Sequence, residues 1–336
     1  MTTYSERAVP AAGRDAGVSW HYGDPLGEQR LLTTGAGVID RSHRDVLVVP
    51  GQDRLGWLHS ICSQHLAALR DGGSTEALVL SPHGHVEQHW QVTELDETVW
   101  IDTEPGAATE ALGYLRKMQF LKRVDPADVS PAWSVLSLVG PATDRVLAAA
   151  RLPVPDAAGR ALAITGGGFV RRMDWPGAVA VDLVIPRERS AGFMAALVAA
   201  GAGAAGVWAF EALRVEARRP RYGFETDHRT IPHEVGWIGR AVHLDKGCYR
   251  GQETVARVQN LGKPPRRLVL LHLGGESDEL PAPGTPIEVG GRVTGFLGTA
   301  LHHHELGPIA LAVVKRSLPD DTVLSIDGHT AAIDAG

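Results

Sequence analysis

The sequence predicts an α+β protein, with two related α+β halves followed by a small antiparallel β-barrel. Strand–strand–helix alternation runs once before about residue 130 and again after it. Lys263-Pro264-Pro265 then forbids a continuing helix. Beyond it, about 70 residues of short strand-like runs are separated by Gly, Pro and Asp turns, the spacing of a small barrel. The expected division is 1–130, 131–264 and 265–336.

The elements follow from local pattern. Residues 51–66 place Leu55, Leu58, Cys62 and Leu66 at helical spacing, with Asp53 as a candidate cap. Residues 77–80, 85–93 and 99–101 read as a meander, turned at Ser81-Pro82-His83-Gly84. Residues 104–120 carry Ala108, Ala111, Leu112, Leu115 and Met118 on one helical face. Residues 135–139 read as a strand before Gly140-Pro141, and a short helix then runs to Leu147. Residues 170–173 and 179–185 read as paired strands around Trp175-Pro176-Gly177. The uncharged stretch 190–210 resembles a membrane span in length only. It is rich in Ala and broken by Gly201, Gly203 and Gly206, so it reads as a buried helix, a glycine turn and a second helix to Arg218. The barrel strands are expected at 267–273, 286–289, 292–300, 309–314 and 322–326.

Composition excludes several classes. The chain has 336 residues, 44% of them apolar and 21% charged, which suits globular domains rather than disorder. Its net charge of -6 argues against a nucleic-acid neutraliser or a polybasic membrane binder. Two cysteines, Cys62 and Cys248, exclude a disulfide scaffold and a multi-cysteine zinc module. Residues 1–15 lack the apolar core of a signal peptide, so a cytoplasmic protein is expected.

Some patterns carry little. Residues 201–206 fit G-x-G-x-x-G, but a helix precedes them, and a helix-to-helix turn is expected. Adjacent His302, His303 and His304 cannot all face one ion on a strand. His83, His85 and His89 share a face but lack partners at ligand spacing, so no metal is expected. Cys62, on an apolar stripe, reads as core.

The informative stretch is 209–265, centred on Lys246-Gly247-Cys248-Tyr249-Arg250-Gly251-Gln252-Glu253. Two glycines bracket a cysteine and permit a tight backbone. Lys246 and Arg250 flank the thiol, and a helix is expected from Gln252 to Val258. Cations and a helix N-terminus both favour thiolate. The pattern supports either a reactive Cys248 or a buried structural one.

This signature, with Val255-Ala256-Arg257 after it, resembles that of the YgfZ-type folate-binding proteins. These are relatives of the T protein of the glycine cleavage system, a tetrahydrofolate-dependent aminomethyltransferase. Residues 181–186, 209–216, 222–225, 231–234 and 291–295 are similar to stretches that both branches share. The resemblance implies a three-domain ring around a channel that binds tetrahydrofolate or a related reduced folate. It implies Glu216 as the carboxylate for the pterin N–H groups, with Arg214 supporting it. Tyr222 or Tyr249 would stack on the ligand's rings. Gln252, Glu253 and Arg257 complete the implied binding set. Cys248 would be the working thiol, its pKa lowered by Lys246. The T protein carries acidic residues where this chain has Gln88 and His89, with Glu87 facing the other way from Gln88. The group that assists transfer is therefore expected to be missing, unless His89 serves as a base. The implied function is an accessory role in iron–sulfur cluster assembly or repair, with iron–sulfur enzymes or their assembly proteins as partners. The alternative is tetrahydrofolate-dependent aminomethyl transfer or amine demethylation. Neither nucleic acid nor membrane is expected as a partner.

Overall fold

The computed structural model describes residues 7–174, 179–274 and 279–335. It contains two mixed α/β bodies and a closed six-stranded antiparallel barrel. The first sheet has five antiparallel strands, in the order Gly73–Leu80, Val86–Leu95, Thr98–Thr103, Asp45–Pro50, Ala127–Asp128. One face packs on the helices Arg54–Ile61 and Ala108–Met118, through Trp57, Leu58, Trp90, Val92 and Leu115.

The second sheet runs Ala161–Ala163, Phe169–Met173, Ala180–Pro186, Trp133–Val139, Gly37–Asp40, Gly203–Ala205. Its helices Thr143–Ala149 and Ser190–Ala199 bury Val146, Leu147, Phe193 and Leu197 against it. The strand Gly37–Asp40 is therefore early in sequence yet pairs with Trp133–Val139. The sheets do not part at residue 130. At their edges, Gly73 bridges to Arg160, and Ser74 N–H donates to Gly159 O (2.8 Å).

Several boundaries shift for local reasons. The helix expected over 51–66 ends at Ile61, because Cys62 is extended and the Ser63 hydroxyl donates to Ala241 O (2.6 Å) while accepting from Leu78 N–H (2.9 Å). Asp53 does not cap it; its carboxylate accepts from Arg123 instead. The glycine segment is not a plain turn. Gly203–Ala205 forms a strand parallel to Gly37–Ile39, and Gly206 opens the helix Val207–Glu216. Glu28 accepts from Gly206 N–H there (2.8 Å), so a carboxylate already serves that helix start. A Cβ on Gly206 would lie 2.1 Å from Trp20 O, which explains the glycine. The turn expected at Trp175-Pro176-Gly177 lies outside the described residues. The barrel order is Arg266–Gly274, Gly307–Lys315, Arg292–His303, Pro286–Val289, Leu324–Ile326, His329–Ile333. The closing strand His329–Ile333 was not expected; its short alternation Ala331, Ile333 gave little signal.

Side chains alternate along strands, so residues opposite the helix-packed core face the other sheet. Asp102 and Asp182 are such residues. Arg171 reaches both, at 2.5 Å and 2.8 Å, and all three are buried. Arg44 adds a second cation on Asp102 (2.8 Å). Removing the shared guanidinium would leave Asp102 to Arg44 alone, and Asp182 to Ser137 and a distant Arg41 (3.5 Å). Arg171→Met should therefore lower unfolding stability by about 3–5 kcal/mol, read as a shift in urea midpoint. Arg123→Met, at the exposed pair with Asp53, should shift it little. Equal shifts would show that Arg171 does not join the sheets.

Candidate functional site

A cleft opens between the two inner sheet faces and ends against the helix Val207–Glu216. Glu76, His89, Gln91 and Asp182 supply strand positions to it, and Arg219 and Arg240 come from the loops beyond the helix. Its narrow part encloses about 60 Å³. A wider lobe of about 360 Å³ adjoins it and shares Glu76, Gln91, Met173 and Arg240 with it.

His89 is the central feature. Glu87, His89 and Gln91 lie at alternate positions on one face, while Gln88 is buried on the other. Glu76 Oε2 lies 3.0 Å from His89 Nε2, and the ring stacks on Trp237 with centroids 4.9 Å apart. Burial works to raise the Glu76 pKa. The His89 hydrogen bond, together with the His89, Arg240 and Arg171 charges, outweighs it and holds the carboxyl below its usual range. The cleft thus contains an ionised carboxylate paired with an imidazole, a positioned group able to take or give a proton at Nδ1. The carboxylate beside His89 comes from the neighbouring strand Gly73–Leu80.

The cleft wall is a web of ion pairs. Arg214 is buried, donates to Glu211 (2.7 Å) and to Glu225 (3.0 Å), and pairs with Thr299 of the barrel. Arg221 joins Asp15 (2.6 Å) to Glu104 (2.8 Å), and His43 reaches Asp15 at 3.0 Å.

Of the residues expected at the site, Arg214 borders the cleft. Glu216 does not. It sits at the helix end, 45% exposed, 3.5 Å from His303 of the barrel. The reason is helical phase: Glu211 and Arg214 share the face turned to the cleft, and Glu216 is off it. Tyr249 packs in an apolar cluster with Leu78, Leu80, Val255 and Val313, where burial pushes its hydroxyl up to about 12. Tyr222 packs against the same cluster. Gln252 donates to Lys246 O (3.4 Å), and Glu253 and Arg257 are exposed on the helix Gln252–Leu261. None of these six residues lines the cleft.

Cys248 is exposed. Lys246, expected to lower its pKa, is engaged elsewhere. Its ammonium is buried and donates to the carbonyls of His59, Cys62 (2.6 Å) and Gln64 (3.1 Å). Three acceptors use all three N–H bonds. Among the described residues, no group of three or more His, Cys, Asp or Glu has the geometry to hold a metal ion. No described helix is long and apolar enough to cross a membrane.

Sequence reasoning missed Glu76, Trp237, Arg219, Arg221 and Arg240. The cluster Arg218-Arg219-Pro220-Arg221 was a usable signal, because charge packed so densely beside an apolar helix needs acidic partners.

Two helix-backed sheets facing one another across a charged cleft, with a barrel braced against the helix behind it, make a three-domain ring. The chain belongs to the family of the GCVT N-terminal domain, which matches residues 20–246. It is 30% identical over 302 residues to an aminomethyltransferase of Geobacillus kaustophilus, covering 86% of this chain and 81% of that one. An aminomethyltransferase of Symbiobacterium thermophilum is 28% identical over 326 residues, covering 92% and 85%. The glycine cleavage system aminomethyltransferase T from Bartonella henselae has the same fold. Its TM-score is 0.86 at 20% identity, over 98% of this chain and 94% of that one. The three-domain architecture implied by the resemblance is therefore present.

Two predictions follow from the site's electrostatics. Burial raises Asp102 and Glu104, but their arginines prevail, holding Asp102 to about 2 and Glu104 below its usual value. Glu76 is depressed too. Such carboxylates stabilise the fold above their unfolded pKa of about 4, and that stability is lost as pH falls through the lower folded values. Calorimetric melting temperature should fall steeply below about pH 4. A melting temperature unchanged down to about pH 2 would contradict these pairings. Separately, Lys246→Met should lower the melting temperature while leaving the rate of Cys248 alkylation by iodoacetamide unchanged. A large drop in that rate would restore Lys246 as the thiol's partner.

Proposed function

We propose that the cleft binds a reduced folate and that this chain acts on a one-carbon unit in the manner of an aminomethyltransferase. The observation that carries the reading is the Glu76–His89 pair, set between Trp237 and the arginines of the cleft.

The donor set suits a folate. Glu76 can accept from adjacent ring N–H groups. Arg219 and Arg240 suit the anionic tail of such a ligand, and Trp237 offers an aromatic edge to the cleft. The 60 Å³ neck has room for about four waters. The ligand's bulk therefore belongs in the 360 Å³ lobe, or needs side chains to move. When bound, tetrahydrofolate would supply the nitrogen that accepts or carries the one-carbon unit. Glu76 would fix the His89 tautomer, and His89 would move the proton at Nδ1. Arg214 would hold the wall through Glu211 and Glu225. This assigns to Glu76 the carboxylate role first expected of Glu216.

A second reading rests on Cys248. Its thiol is exposed on a loop that is otherwise tied down, which supports the working thiol that the YgfZ-type resemblance implies. On this reading folate binding serves iron–sulfur cluster assembly or repair in the cytoplasm, and the thiol meets a client protein. A single cysteine cannot hold a four-cysteine cluster, so contact would be shared.

The test is anaerobic calorimetric titration of tetrahydrofolate. Binding should weaken about tenfold or more in Glu76→Gln and stay near the parent value in Glu216→Ala. No binding by the parent overturns both readings. Formation of methylene-tetrahydrofolate from a lipoyl-bound aminomethyl donor, lost in His89→Ala, would establish transfer. Loss of cluster-enzyme activity in cells carrying Cys248→Ser, with folate binding intact, would establish the accessory role.

A further inference from the structure

The helix Ala108–Met118 ends in a turn with an unusual tip. Phe120 is 82% exposed and Leu121 is 98% exposed. The other exposed large apolar side chains among the described residues, such as Val9, Val293 and Val323, occur singly in the sequence. Single exposed apolar residues need no explanation, whereas two large neighbours at one tip do.

The turn is held, not loose. Lys122 N–H donates to Gln119 O (3.0 Å), and Gln119 Nε2 donates to Val124 O (2.6 Å). Arg123 anchors the far side through its backbone and guanidinium on Asp53 (2.9 Å each). Phe120 has φ 45°, a region that bulky residues rarely adopt. The fold thus accepts an unfavourable backbone and leaves two apolar side chains in water. Exposed Arg116, Lys117 and Lys122 ring the tip, and Arg123 is paired with Asp53. Arg116 and Lys117 also suit the helix C-terminus, but Lys122 lies beyond it.

We propose that Phe120 and Leu121 form the anchor of a docking surface for a protein partner that offers an apolar cup inside an acidic rim. An apolar centre with a charged surround is the anatomy of an interaction hot spot. The excess of cations around the tip sets the complementary sign. A lipid surface fits less well. One acyl chain gives only marginal anchoring, two side chains bury less, and a net charge of -6 opposes an anionic leaflet. The same helix carries Tyr114, whose ring lies 5.9 Å from the Arg250 guanidinium. Docking at the tip would therefore seat the partner on the side of the first sheet that carries the Cys248 loop. The inference stands on the tip alone and does not depend on folate binding.

The test places a photocrosslinking benzoylphenylalanine at position 120 in the full chain in its native host. The adduct is identified by mass spectrometry, and that partner is purified and titrated against three proteins: the parent, F120S/L121S, and K117E/K122E. Affinity should fall about tenfold or more in each variant, with unfolding midpoints kept, since the altered side chains are exposed. Affinity for the parent should also weaken with added salt. Absence of an adduct, or equal binding by F120S/L121S, overturns the proposal. So does parent binding to phosphatidylserine vesicles that the double variant loses, which would assign the tip to membranes. Self-association of the parent that the double variant abolishes would assign it to a second copy, and overturns the proposal likewise.

Discussion

Arg171 is the constraint on which the architecture rests. Its guanidinium lies between Asp102 of one sheet and Asp182 of the other, buried with both. Taking any one of these charges out of water costs several kcal/mol, and only the complete set offsets it. The two bodies therefore fit together in one arrangement, with Asp102 and Asp182 in reach of the same side chain. The apolar contact of Trp100 with Trp133 and Phe169 adds area to the junction, and the cation shared by two fixed carboxylates sets its register. Ser137 donates to Asp182 (2.6 Å) and Arg44 to Asp102 (2.8 Å), so each carboxylate is held from a second direction.

A cleft follows from that choice. Part of the facing surface is apolar, with Val46, Leu95 and Trp100 of one sheet against Val135, Phe169 and Val184 of the other, and the cleft opens where charged residues line both faces instead. Glu225 continues the same logic to the barrel. Wholly buried, it accepts from Arg221 N–H (2.7 Å) and from Thr299 N–H (2.7 Å), and pairs with Arg214 (3.0 Å). A Cβ on Gly298 would lie 2.4 Å from its carboxylate, so the barrel strand must be bare at that point. Glu76 belongs to the same web but lines the cleft, where an equally charged residue faces open space. Position along one network separates structural ions from available ones.

The sequence made the elements legible because their cores are periodic. Leu115 and Ala111 on one helix, and Leu136 and Leu138 on one strand, show their faces without any knowledge of neighbours. What it hid was long-range. Nothing local says that Gly37–Asp40 pairs with residues nearly a hundred positions later, or that Gly203–Ala205 adds a parallel strand beside it. The site was hidden for the same reason. Glu76 is an ordinary strand glutamate until His89 is seen beside it. Glu216 looked right beside Arg214, but a two-residue offset on a helix turns it to a different side. The conspicuous motif, from which the resemblance implied a binding set, lies away from the cleft, with Tyr249 in an apolar cluster and Glu253 and Arg257 exposed.

That motif is best understood residue by residue. Lys246 ties down the carbonyls that end the Arg54–Ile61 helix. Tyr249 fills the core beneath. Arg250 reaches Glu87 at 2.8 Å. Gly251 has φ 83°, and a Cβ there would lie 2.6 Å from Ser81 O, so the loop seats directly on the Ser81–Gly84 turn. Gln252 returns to Lys246 O. Each of these residues is spent on shape, and Gly247 and Cys248 stay exposed between them. Lys246, Tyr249, Arg250 and Gly251 each meet a fixed partner, which leaves the Cys248 thiol on the solvent side of the loop. The Arg250 pair with Glu87, two residues along the strand from His89, ties this loop to the strand that carries the cleft's imidazole.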